Sequence, residues 1–324
     1  MRKPLTWHPA RLAAIRDLAP DIRLFEIDPG PHFVAPTPGS NIVLTVHIAG
    51  RPETRSYSVV GPCADRRYRI AVKRLPDSRG GSLYMHGLEP GALLTISEPG
   101  NHFDLAPDRP DYLLVAGGIG ITPIYSMALA LADRGARFRL LYAARRRIDL
   151  ALADDLAGRI GDRLETFVDE EGARMDLQAA IAALQPGGEL YVCGPIGLLE
   201  AARRAWAASG RPIENLRFET FGNSGTLPTE DFAVRIPRLG KEILVPRNQS
   251  MLDALEAAGV GMIYDCRRGE CGLCAVPILE TNGPVDHRDV FFSEAQKAAN
   301  THLCTCVSRV AGGSITIDTA ARPA

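Results

Sequence analysis

Residues 111–135 read DYLLVAGGIGITPIYSMALALADRG: a short apolar run, a glycine turn, then an apolar stretch of helical length. A brief run bounded by glycine predicts a buried strand, and the longer segment after it predicts a helix. The same grammar repeats downstream. RFRLLYAARR (137–146) leads into LALADDLAG (150–158), RLETFV (163–168) into MDLQAAIAAL (175–184), and ELYVCGP (189–195) into IGLLEAARRAWAASG (196–210), with ENLRFETF (214–221) as a closing strand. This alternation predicts an α/β domain whose parallel strands are joined by right-handed crossovers and bind ligands at their carboxyl ends.

Upstream the pattern changes to short strands separated by Pro and Gly: 22–27, 41–48, 55–60, 68–73 and 92–97, with a connector over 101–110. Repeated short strands predict a small antiparallel β-barrel or sandwich. Downstream, GNSGTLPT (222–229) reads as a linker, followed by strands FAVRI and KEILVP, helix SMLDALEAAG, a cysteine-rich loop and strand SITID. The expected division is a multidomain chain with a barrel over 1–106, an α/β domain over 107–222, a linker over 223–229 and a small α+β domain over 230–324.

Composition excludes several classes. The 37 basic and 38 acidic residues give a net charge of −1, so no global field draws nucleic acid or an anionic membrane. No run of 18 uncharged apolar residues exists, and the first residues turn polar quickly, without the apolar core of a secretory signal. A soluble cytoplasmic protein is expected. Five of the seven cysteines fall between Cys266 and Cys306, which fits metal ligation better than a disulfide framework.

The most specific motif is Cys266-Arg267-Arg268-Gly269-Glu270-Cys271-Gly272-Leu273-Cys274, with Cys304 and Cys306 some thirty residues later. The C-x4-C-x2-C run with a distant fourth cysteine is the plant-type 2Fe-2S spacing. Gly269 and Gly272 let the backbone pass close to the sulfurs, where N–H groups tune the potential. A structural zinc site, the alternative, usually shows two short cysteine pairs. In an extended chain residues two apart share a face, so spacing leaves both Cys304 and Cys306 open as the fourth ligand. Arg267, Arg268 and Glu270 are either docking charges or an ordinary solvated cluster.

Further constellations suit phosphate-bearing cofactors. Arg55-Ser56-Tyr57-Ser58, placed at the opening of a strand after the turn-like RPET, offers a bidentate phosphate donor, an aromatic ring and hydroxyls. Gly80, Gly81 and Ser82 can present N–H groups and a hydroxyl as a nest. Gly117, Gly118 and Gly120 let the backbone approach a pyrophosphate at a helix N-terminus, with Thr122 expected as N-cap and Pro123 as the first helical residue. This is not the G-x-G-x-x-G fingerprint. Arg145, Arg146 and Arg147 follow the second strand, where an adenosine ribose is recognised and an Arg cluster could accept a 2′-phosphate. Cys63 reads as a small buried hydrophobe.

Arg55–Ser58 resembles the R-x-Y-S flavin motif of the ferredoxin reductase superfamily, Gly117–Pro123 its G-G-x-G-x-T-P segment, and Cys193-Gly194-Pro195 its C-G-P segment. The domain order, with a C-terminal part similar to plant-type ferredoxin, resembles the phthalate dioxygenase reductase family, which includes the vanillate demethylase reductases. That resemblance implies FMN held through Arg55 and the Arg79–Ser82 loop, with Ser56, Tyr57, Ser58, Ala71, Val72 and Lys73 along the ring or ribityl chain. It also implies Ser58, Thr122 and Cys193 where flavin meets nicotinamide, Cys193 as a polarizable positioning group, and Gly194, Pro195 and Arg145 along NADH. The cluster ligands become Cys266, Cys271, Cys274 and, from CTCVSR, Cys306. The implied function is an NADH-dependent reductase, monomeric when free, serving a terminal Rieske non-haem iron oxygenase. A haem or diiron oxygenase partner, or a redox sensor without NADH activity, is the alternative.

Overall fold

The structure is a computed structural model and describes residues 5–48, 50–75, 78, 80–221, 225 and 227–319. Two compact units result, Met1–Glu219 and Thr220–Ala324.

The first unit begins with strands β1 (Trp7–Ala19), β2 (Ile22–Asp28), β3 (Ser40–Ile48), β4 (Arg51–Ser58), β5 (Tyr68–Lys73), β6 (Leu93–Ser97) and β7 (Gly100–Asn101), and with helix α1 (Gly81–His86) between β5 and β6. The antiparallel order is β4-β3-β6-β1-β2-β5, with β7 beside β3. A bridge between Val59 and Ile70, reinforced by the Val60 N–H to Arg69 O bond at 2.8 Å, joins the end of β4 to β5 and closes the sheet into a barrel. Inside lie Leu12, Phe25, Ile42, Leu44, Ile70, Met85 and Ile96, together with Cys63.

Strand β1 is absent from the sequence reading. Its segment WHPARLAAIRDLA lacks clean alternation because it serves two partners: Trp7–Arg11 pairs with β6 and Arg11–Ala19 with β2, with register shifts after Leu12 and Asp17. Such bulges bend a strand between neighbours and break its period-two pattern. The RPET segment is also not a turn. It forms the first half of β4, so Arg55–Ser58 closes that strand rather than opening it.

The second sheet of this unit contains β8 (Tyr112–Gly117), β9 (Phe138–Ala144), β10 (Leu164–Val168), β11 (Glu189–Cys193) and β12 (Leu216–Glu219), all parallel in the order β10-β9-β8-β11-β12. Helices α2 (Ile121–Asp133), α3 (Ala153–Ile160), α4 (Leu177–Ala182) and α5 (Ile196–Ala208) connect them. Every residue of β8 is buried, which explains its continuous apolar run, since a central parallel strand is covered on both faces. Ser126 of α2 donates to the Val59 carbonyl and accepts from the Gly61 N–H, both at 2.9 Å, and so ties barrel to parallel sheet.

The second unit carries β13 (Phe232–Ile236), β14 (Lys241–Val245), β15 (Ala275–Asn282), β16 (Val285–Asp286), β17 (His302–Cys304), β18 (Arg309–Val310) and β19 (Ser314–Ile317), with α6 (Met251–Ala257) and α7 (Glu294–Ala299). The main sheet runs β14-β13-β19-β15-β17, parallel only between β13 and β19, and β16 pairs with β18. A mixed sheet covered by α6 gives the α+β β-grasp form expected of a plant-type ferredoxin domain. Ser250 and Asp253 form a capping box at the start of α6, whose Met251, Ala254 and Leu255 enter the core.

Candidate functional sites

The two glycine-bearing segments of the parallel sheet meet side by side. Strands β8 and β11 are neighbours, with Ala116 opposite Cys193, so Gly117–Gly120 and Cys193–Pro195 emerge together at the carboxyl ends. A Cβ at Gly120 would overlap the Cys193 carbonyl oxygen, and one at Gly117 would lie 2.7 Å from Pro195 Cδ. Gly194 has the same constraint, at 3.0 Å from Gly117 Cα. Only glycine permits this approach. Between β8 and α2 a 3-10 turn spans Gly118–Gly120, with Gly118 at φ +51°, and the helix starts at Ile121. Thr122 therefore is not the N-cap, and Pro123 is the third helical residue rather than the first. The Thr122 hydroxyl donates to the Ile119 carbonyl at 3.0 Å, and Pro123 is tolerated because first-turn N–H groups have no intrahelical acceptor. Thr122 and Cys193 are both buried.

The barrel brings its own motif to this turn, since β5 packs against Gly118–Gly120. Ala71 and Val72 are buried in β5, and Lys73 reaches Asp21 at 3.4 Å. On β4, the Arg55 side chain lies over Gly81, where a Cβ would come within 2.8 Å of Nε. The Arg55 guanidinium meets Glu53 at 2.8 Å. Gly80, at φ +92°, turns the chain into α1, and Ser82 Oγ donates to Ser78 Oγ at 2.9 Å. Arg55, Gly80, Gly81 and Ser82 thus share one corner, while Arg79 lies outside the described residues. Burial pushes the Tyr57 hydroxyl up to about 12, with the Arg55 charge opposing it. Ser58 is buried, and Asn41 Nδ2 donates to Ser56 Oγ at 2.5 Å. Nothing local in the sequence marks Asn41, because its role depends on the β3–β4 register.

The three arginines after β9 differ. Arg146 binds both oxygens of buried Asp149, at 3.0 and 2.7 Å, and Arg147 binds both of Glu171, at 2.7 and 2.5 Å. Arg145 is exposed and has no side-chain partner among the described residues.

In the second unit the backbone N–H groups of Arg268, Glu270 and Cys271 all point at Cys266 Sγ, each at 3.4 Å. Gly269 and Gly272 have φ of +76° and +71°, and a Cβ at Gly269 would lie 2.6 Å from Val307 Cγ2. Cys304 and Cys306 lie close enough to Cys274 for their thiols to bond its sulfur, which pulls the Cys274 thiol below its usual range. Both later cysteines therefore reach Cys274, but not by the extended-chain route: Cys304 ends β17, a turn intervenes, and Cys306 lies in that turn. Cys306 also feels Cys266, whereas Cys304 feels buried Asp289. A two-iron centre asks for two thiolates per iron, and sulfurs facing inward N–H groups fit it. Arg267 is tied to Asp253 and Glu256, both at 2.7 Å, and Arg268 to Glu270 at 3.1 Å, so these charges are paired internally.

Residues 234–311 match the 2Fe-2S iron-sulfur cluster binding domain, and residues 114–204 match the oxidoreductase NAD-binding domain. Barrel, dinucleotide sheet and thiolate loop in one chain define a pyridine-nucleotide-dependent flavin and iron-sulfur oxidoreductase. The chain is similar to phenoxybenzoate dioxygenase subunit beta of Ectopseudomonas oleovorans, 38% identical over 95% of this chain and 96% of the relative. It is also similar to the haem-dependent oxidative N-demethylase beta subunit of Ectopseudomonas mendocina, 37% identical over 95% and 97%. The solved structure of phthalate dioxygenase reductase aligns with a TM-score of 0.73 and 30% identity, covering 96% of this chain and 98% of that one. The solved structure of an intact type IV self-sufficient cytochrome P450 monooxygenase aligns at a TM-score of 0.65 and 33% identity, and this chain, 98% covered, spans 43% of its length. The chain belongs to the family of oxygenase-system reductases that contains phthalate dioxygenase reductase. It is an NAD(H)-dependent flavin and 2Fe-2S reductase that feeds electrons to a partner oxygenase. No helix among the described residues is long and apolar enough to cross a membrane.

Proposed function

We propose that the protein takes electrons from NADH onto FMN and delivers them through Cys266, Cys271, Cys274 and Cys306 to a terminal Rieske non-haem iron oxygenase. The observation that carries this reading is the meeting of β5 with the Gly118–Gly120 turn, which sets a flavin strand beside a dinucleotide turn. Arg55 with the Gly80–Ser82 corner would hold the FMN phosphate, and Ser56, Tyr57, Ser58, Ala71, Val72 and Lys73 would line the rest of the flavin. Gly117, Gly118, Gly120 and Pro123 would admit the pyrophosphate to the start of α2, with Arg145 free to meet the adenosine half and Gly194 and Pro195 flanking the nicotinamide. Ser58, Thr122 and Cys193 would border the hydride path, their burial excluding water. When bound, FMN supplies the exchange of a two-electron hydride for single electrons that the cluster can carry.

Cys306 is preferred to Cys304 as fourth ligand because it stands directly before Val307-Ser308-Arg309, as the family's fourth cysteine does, and its thiol feels Cys266 as well as Cys274. The free protein is proposed to be a cytoplasmic monomer, where NADH is available. A haem oxygenase is the second reading of the partner, favoured by the 37% identity to the haem-dependent N-demethylase beta subunit.

Anaerobic titration with NADH, following flavin and iron-sulfur absorption together, tests the proposal. Both should bleach. Failure of both in protein loaded with both groups would overturn the internal electron path. Electron delivery to purified Rieske and haem oxygenases then separates the two partner readings.

A further inference from the structure

The arginine run after β9 lies beside an acidic turn, Asp169-Glu170-Glu171, that follows β10, and the Glu170 N–H bonds the Arg145 carbonyl at 3.1 Å. The first two strands of a dinucleotide sheet end where adenosine ribose is recognised, and there an arginine fork distinguishes a 2′-phosphate from a 2′-hydroxyl. Three consecutive arginines would on composition suit the phosphate. Their pairing does not. Arg146 is committed to Asp149, a buried carboxylate on its own turn, and Arg147 donates through Nε and an Nη to the two oxygens of Glu171, 24 residues away.

We propose that Glu171 sets the choice of coenzyme by holding Arg147 in this bidentate pair, out of reach of a 2′-phosphate. The inference rests on the dinucleotide lying across the carboxyl ends of β8 and β9. A 2′-phosphate arriving there meets the Asp169–Glu171 carboxylates, finds Arg145 as the one guanidinium of the three without a side-chain partner among the described residues, and must displace Glu171 to gain the Arg147 fork. A 2′-hydroxyl brings no charge and requires no displacement. Arg147 is thus a concealed phosphate ligand, and Glu171 a specificity-determining residue that need not touch NADH.

The test is steady-state reduction kinetics with NADH and NADPH on the full-length holoprotein, comparing wild type, Glu171→Gln and the double variant Glu171→Gln with Arg147→Ala. Glu171 is exposed, and Gln preserves its shape. The ratio of kcat/KM for NADPH to that for NADH should rise about tenfold in the single variant, the worth of one freed charge-assisted fork, and return towards wild type in the double variant. An unchanged ratio in Glu171→Gln, or a gain that survives loss of Arg147, overturns the inference while leaving the reductase reading intact. A wild-type protein bleached by neither coenzyme overturns both.

Discussion

The glycine turn at 117–120 and the cysteine loop at 266–274 are both tight backbone passages proposed to lie against a cofactor, but they are stiffened by different means. The turn is braced by protein: β8 is buried throughout, Gly120 touches the Cys193 carbonyl, and Gly117 touches Pro195. The loop is braced largely by its own sulfur, with three N–H groups bonding Cys266 Sγ and two thiols bonding Cys274. The turn is held by neighbouring backbone and side chains, whereas a thiolate loop draws part of its order from the group it holds.

The sharpest way to break this contrast is Cys271→Ser. It should abolish iron-sulfur absorption and lower the stability of the second unit, while NADH still bleaches the flavin. Loss of both signals from a folded protein would show that the two regions are not separable. Gly120→Ala acts on the other side of the comparison. Its methyl has no space, so the first unit should lose on the order of 3 kcal/mol in denaturant unfolding, with weakened NADH binding and an intact cluster spectrum. Arg55→Ala should weaken FMN binding by about 2 kcal/mol through loss of charge-assisted phosphate bonds, read by flavin dissociation. Unchanged affinity would remove Arg55 as the anchor. Ser250→Ala, which opens the capping box of α6, should cost the second unit about 1 kcal/mol without altering the spectrum of the loaded cluster.

The parallel sheet was legible because its central strands β8 and β11 are buried throughout and read as nearly continuous apolar runs. The cysteine loop was legible because ligation fixes residue spacing. Strand β1 was not, since its bulges destroy alternation and its pairing partners lie distant in sequence. Strand β15 was missed for a related reason: Ala275–Asn282 contains Pro277 and Glu280, poor strand residues that its two neighbouring strands nonetheless accommodate, with a register shift near Glu280. At the nicotinamide site the motif was visible but its local geometry was not. Thr-Pro suggested a helix start at Pro123, yet the 3-10 turn over Gly118–Gly120 runs straight into α2, whose first residue is Ile121. The Arg147–Glu171 pair joins residues on different loops, so nothing local in the sequence showed that this arginine is paired.

The Ser126 bonds to Val59 and Gly61 have a consequence for how such chains can be recombined. A breakpoint at 106/107, natural by sequence grammar, would sever a buried hydroxyl from both partners and leave polar groups without acceptors or donors. A breakpoint at 219/220 leaves those bonds whole. Front ends exchanged between reductases should therefore travel as barrel and dinucleotide sheet together, with the ferredoxin part as the interchangeable cartridge.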